Sequence, residues 1–148
     1  MTRHSIIKYL TILLIGTLWF LVAGFFGRGV PIFGKNGTGH FICALLTSYI
    51  TMEVFLKPIM TWKYNKWLLI PLATIAFSSF LFGFLLPFSW LLASGSGEGV
   101  DGGAFISIPF TLLFYSMSYF LIPLYILALI TQFLLKLVFK NFNSKVLD

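Results

Sequence analysis

The sequence predicts an all-α membrane protein of four transmembrane helices, with both termini in the cytoplasm. Three observations carry this. First, 59% of the 148 residues are apolar, only 9% are charged, and mean hydropathy is +0.98. A soluble domain is about a quarter charged, so this chain has too few polar groups to cover a surface in water. Second, charges divide the chain into long neutral runs: 19 residues between Lys8 and Arg28, 31 between Lys66 and Glu98, and 34 between Asp101 and Lys136. Roughly 20 helical residues span a ~30 Å hydrocarbon core. Third, four spans place Arg3, Lys8, Lys57, Lys63, Lys66, Lys136, Lys140 and Lys145 on one side and only Arg28 and Lys35 on the other. Cations mark the cytoplasmic face. The net charge of +6 therefore reports orientation in a bacterial inner membrane. A soluble enzyme, a disordered tail and a nucleic-acid-binding domain are excluded.

The elements follow in order. The first 27 residues resemble a signal peptide, with Arg3 and Lys8 and then a long apolar stretch over 6–26. The stretch is too long for an h-region and no A-x-A site follows, so it reads as the first span. The second span, 41–61, is apolar apart from Glu53, and Trp62, Tyr64 and Trp67 follow it at the inner boundary. The third, 68–92, carries Trp90 near its outer end. These aromatics suit interface belts. The fourth span covers 106–130. Pro109 lies in its first turn, where a missing N–H matters little, and Pro123 is interior, where a kink is expected. Beyond it, about 131–142 reads as an amphipathic extension, with Phe133, Leu134, Leu137 and Val138 on one face and Gln132, Lys136 and Lys140 on another. Residues 1–148 form one domain.

The two outer loops share a composition. GRGVPIFGKNGTGH carries Arg28 and Lys35, SGSGEGVDGG carries Glu98 and Asp101, and together they hold ten of the 13 glycines. They read either as flexible connectors with weak mutual attraction or as a paired outer surface that meets a ligand. No phosphate-loop pattern is present.

Glu53 is the only acid inside a span. An ionised side chain at the bilayer centre costs about 2–3 kcal/mol on insertion scales. Lys57 follows one turn later in the favourable Glu-to-Lys order, so an interfacial Glu53–Lys57 pair is the first expectation. An inter-subunit or ion-pathway carboxylate is the second. On the second span, Ala44, Thr47, Ser48 and Thr51 form a small, hydroxyl-bearing stripe, with Glu53 roughly opposite. On the third, Ala76, Ser79, Gly83 and Pro87 form another. Small residues let membrane helices approach closely, which serves either bundle packing or homo-oligomerisation.

Catalysis needs convergent titratable groups. The chain offers four carboxylates, His4, His40 and Cys43, with no metal-ligand spacing and no Ser-His-Asp set. The expectation is a non-enzyme without cofactor or metal. His40 reads as an interfacial polar tip and Cys43 as a small packing residue. The basic inner side, with Lys63, Lys66, Lys136 and Lys140, reads as a solvated face or as a surface for anionic lipid or an acidic cytoplasmic partner.

In span number and termini, across about residues 6–140, the chain resembles two groups of small inner-membrane proteins. These are the immunity proteins of pore-forming bacteriocins and the membrane subunit of Kiwa-type defence systems, which works with a cytoplasmic partner. The wealth of Phe, Ile, Leu, Lys and Asn also suits an AT-rich bacterial gene of the mobile-island kind. The resemblance implies a sensing or scaffolding subunit in phage defence or toxin immunity and assigns no residue roles. The rival expectation is a small channel or proton-coupled transporter built around Glu53.

Overall fold

The computed structural model describes residues 3–26, 37–61, 66, 68–94 and 102–140. All regular structure among them is helical: α1 (Arg3–Phe26), α2 (Gly37–Thr61), α3 (Ile70–Ser94), α4 (Ala104–Ser118) and α5 (Leu121–Lys140). Helices satisfy every backbone polar group internally, which lipid demands. Three are long and apolar enough to cross a membrane: α2 over Thr38–Thr61, α3 over Ile70–Leu91 and α5 over Leu121–Phe139. Ile6–Val22 of α1 and the whole of α4 are shorter apolar helices.

Side-chain pairs fix the packing register. Phe20 meets Phe41, and Lys8 meets Glu53, so α1 and α2 are antiparallel. His40 meets Trp90, and Phe55 meets Phe77, which sets α3 antiparallel to α2. Phe88 meets Phe105, and Ser79 meets Ser116, which sets α4 antiparallel to α3. The bundle therefore has two ends. One gathers Phe26, Gly37, Ser94 and Ala104; the other, here the lower end, gathers Arg3, Thr61, Ile70 and Ser118. Near the lower end Ile12, Met52, Leu56, Ile59, Ile70, Leu135 and Phe139 form a buried apolar cluster.

The apolar stretch expected as one span over 106–130 is two helices, divided at Tyr119 and Phe120. Pro123 is the physical reason. It has no N–H for the carbonyl of Tyr119 four residues back, and its ring crowds that carbonyl. Instead, the N–H groups of Tyr119 and Phe120 both donate to the carbonyl of Tyr115, at 3.0 and 3.2 Å, and the ladder restarts with Leu124 N–H to Phe120 at 3.1 Å. The amphipathic stretch expected from 131 is continuous with α5 as far as Lys140. Pro109 is the sixth residue of α4 rather than a first-turn residue, because the helix starts at Ala104.

Pro109 packs closely on its neighbour across the α3–α4 seam. Its flat ring is buried against α3 at Gly83, where an added Cβ would meet Pro109 Cα at 2.6 Å. Ser79 Oγ donates to Ser116 Oγ at 2.8 Å, one turn below. Ser79 and Gly83 of the third span's small-residue stripe thus pack on α4 within the chain. Rings of Phe80, Phe84 and Phe88 on α3 meet Phe105 and Phe110 of α4 edge-on and lengthen this seam.

Candidate functional site

Helix α2 makes polar contacts with both α1 and α3, and the polar groups it carries there fall into three sets. The first joins α2 to α1. The ammonium of Lys8 is 2.5 Å from Glu53 Oε1, with the two side chains 24% and 40% exposed from protein. This corrects the expected Glu53–Lys57 pair. Antiparallel packing brings Lys8 to the level of Glu53, whereas Lys57 is exposed one turn below. Glu53 lies eight residues before Thr61, roughly 12 Å along the axis. An ion pair at that depth lowers the cost of holding either charge away from water. Tyr9 and Tyr49 stack beside it at 6.5 Å between centroids. The helices approach closely above the pair. At Gly16 an added Cβ would meet Leu45 Cδ2 at 2.8 Å, and Ser48 Oγ donates to the carbonyl of Ile12 at 3.4 Å.

The second group joins α2 to α3 near the opposite end. Trp90 Nε1–H donates to His40 Nε2 at 3.0 Å, with the rings edge-on. His40 is 5% exposed, so it is a packed interhelical acceptor and not the interfacial tip expected from its place in sequence. Accepting at Nε2 requires that nitrogen to be unprotonated, which leaves the proton of the neutral ring on Nδ1. Gly39 packs on Ser89 of α3, and Cys43 Sγ donates to the carbonyl of Leu85 at 3.4 Å. Cys43 is buried there.

The third group is a line of unmatched atoms. His40 Nδ1, Thr47 Oγ1 and Thr51 Oγ1 are buried without a hydrogen-bond partner. At 100° per residue these three side chains fall within about 40° of one another on α2. Other threonines behave differently: Thr11, Thr17, Thr61, Thr74 and Thr111 each donate to the carbonyl four residues back. Buried polar atoms ordinarily have partners, so the line is polar capacity held inside the bundle. Glu53 is some 200° away from Thr51 around the helix, and its carboxylate faces α1. The acid and the hydroxyl line therefore do not form one path.

Of the other residues singled out in the sequence, Ala76 is half-buried on α3 and Lys66 is exposed just below it. Lys136 is half-buried on α5, and Gln132 beside it is 2% exposed. Arg28, Lys35, Lys63, Glu98 and Asp101 lie outside the described residues, as do Trp62, Tyr64, Trp67 and the side chain of Lys140. Among the described residues no three His, Cys, Asp or Glu side chains gather as metal ligands would. Sequence spacing does not find Lys8, because an i,i+4 neighbour outcompetes a partner on another helix until the register is known. Gly16 has a readable signal, a glycine well inside an apolar helix, where only close approach compensates its entropy cost.

No protein-family model, curated protein or solved structure matches this chain.

Proposed function

We propose that this protein is a non-enzymatic subunit of the bacterial inner membrane that senses or scaffolds within the bilayer, assembles into an oligomer, and serves a phage-defence or toxin-immunity system. One observation carries the reading. The intramembrane acid and the buried histidine are committed to interhelical contacts, Glu53 to Lys8 and His40 to Trp90. Their chemistry holds α1, α2 and α3 in register, which suits a binding scaffold better than a reaction centre. Large side chains on the outside of the bundle, among them Leu14, Ile106, Phe110 and Phe114, are more than half exposed and give lipid or a neighbouring subunit an apolar surface. The basic inner side suits a cytoplasmic protein partner.

The test is a challenge assay. Cells with and without the gene are exposed to phage and to pore-forming toxins, while the protein is followed by membrane-fraction blotting and native mass spectrometry. Protection together with an oligomeric mass supports the reading. A monomer that protects against nothing overturns it.

The second reading is a small channel or proton-coupled transporter. The line of His40, Thr47 and Thr51 favours it, because unmatched hydroxyls inside a bundle can bind water or a polar solute. Liposome flux assays on wild type and on Thr47→Val/Thr51→Val discriminate the two. Flux that falls with the hydroxyls makes the second reading first.

A further inference from the structure

By length and apolarity, α5 has the makings of a transmembrane helix. Its contacts point elsewhere. Helices α1 to α4 run alternately up and down, so α4 delivers the chain to the lower end at Ser118, and α5 starts three residues later. Tyr125 Oη then donates to the carbonyl of Leu68, just below α3, at 3.0 Å. Leu135 and Phe139, near the far end of α5, are buried in the cluster of Ile12, Met52, Leu56, Ile59 and Ile70. Each of those five lies within nine residues of the lower end of its helix, a height of up to roughly 14 Å. If α5 stood upright, Phe139 would be roughly 27 Å above Leu121. Both ends of α5 therefore meet the same lower part of the bundle. The helix packs more with α3 than with α2 or α4, and follows none of them at length.

We propose that α5 does not cross the bilayer but lies across the lower end of the bundle, as an in-plane helix docked on the anionic cytoplasmic leaflet. The face pattern fits. Ala128, Gln132, Leu135 and Phe139 recur at helical spacing and are buried against the bundle. On the opposite face Ile126, Ile130, Phe133 and Leu137 are each at least half exposed. The sequence adds Lys136, Lys140 and Lys145 to the C-terminal half of α5 and the residues after it, a cluster of positive charge suited to an anionic leaflet. The charge distribution agrees. With α5 on the surface, the ten cations divide eight to two in favour of one side. A fifth crossing would move Lys136, Lys140 and Lys145 to the side of Arg28 and Lys35 and divide them five to five, abolishing the orientation signal.

The experiment uses the full chain in a Cys43→Ala background, reconstituted in phosphatidylcholine vesicles with and without phosphatidylglycerol. Single cysteines at Ile126, Ile130, Phe133 and Leu137 carry a fluorophore, and lipids bearing quenchers at known depths locate each one. The expected result is four shallow depths within a few ångströms of one another. A crossing helix would separate Ile126 from Leu137 by roughly 16 Å in depth, and such a gradient overturns the proposal. Cysteines at Leu14 and Leu21 of α1 calibrate a gradient in the same vesicles. An impermeant thiol reagent gives an independent readout: Ser144→Cys should label from the same side as Ser5→Cys, and labelling from the opposite side overturns the proposal. Phosphatidylglycerol should increase shallow quenching about twofold, and Lys136→Gln/Lys140→Gln should remove that increase. Equal quenching with and without phosphatidylglycerol sinks the anionic docking.

Discussion

Lys8, in the second turn of α1, neutralises Glu53 on α2, and this charged contact ties the first two helices of the bundle. Lys57 is one turn from the same acid along α2 but is exposed. Lys8→Gln should therefore destabilise the protein, by on the order of 1 kcal/mol in detergent because the pair is only partly covered, while Lys57→Gln should be near neutral. The exchanged pair Lys8→Glu/Glu53→Lys should recover most of the loss. Thermal unfolding of the purified variants checks this, and equal effects of Lys8→Gln and Lys57→Gln would contradict the assignment.

Gly83 and Pro109 form the tightest point of the α3–α4 seam. A Cβ at position 83 would meet Pro109 Cα at 2.6 Å and Ile108 C at 3.2 Å. Those are backbone atoms and cannot rotate away. Gly83→Ala should cost about 1–3 kcal/mol, and Gly83→Leu should force the helices apart. Gly102→Ala, with nothing within 4 Å of the added carbon, is the control. A disulfide between Ser79→Cys and Ser116→Cys, made without Cys43, should form in wild type and fail in Gly83→Leu. Retention of that cross-link in Gly83→Leu would show the seam to be looser than its geometry requires.

The half-buried Trp90 and the buried His40 make a donor–acceptor pair between α3 and α2. Trp90→Phe removes the donor and leaves His40 Nε2 unmatched, a loss of about 1–3 kcal/mol. His40→Leu removes the acceptor of the indole N–H. The double substitution should cost less than the sum of the singles. A double-mutant cycle by chemical denaturation reads the coupling, and strict additivity would mean that the 3.0 Å bond contributes nothing.

Pro123 should be sufficient to divide α4 from α5. Pro123→Ala restores an N–H for the carbonyl of Tyr119 and removes the ring clash. Spin labels at Thr111→Cys and Ile130→Cys should then move apart, toward the roughly 28 Å of a continuous helix. An unchanged distance distribution would assign the break to the packing of α5 rather than to the proline.

The helical class and the membrane habitat are legible from charge spacing alone, since lipid leaves the backbone few alternatives. α1, α2 and α3 begin and end within a few residues of where apolar runs meet charges or glycines. The division of the fourth stretch was legible only as a kink. Apolar residues continue unbroken through Tyr119 and Phe120, and hydropathy carries no information about where a carbonyl loses its partner. The partner of Glu53 was illegible for a related reason, because sequence spacing reports neighbours on one helix while register sets neighbours on two. The commitment of His40 to Trp90 depends on that same register, which places residues 40 and 90 at one level.

The pairing of Lys8 with Glu53 also bears on how the chain is made. Synthesis runs from the N-terminus, so α1 reaches the insertion machinery before α2, carrying Arg3 and Lys8 near one end, where lysine can reach the headgroups. Glu53 emerges later and must enter more deeply, and by then a counter-charge waits at its level. The acid can thus partition into lipid beside α1 rather than alone. A gene rearranged to translate α2 before α1 would present the carboxylate first, and its membrane insertion would become the inefficient step.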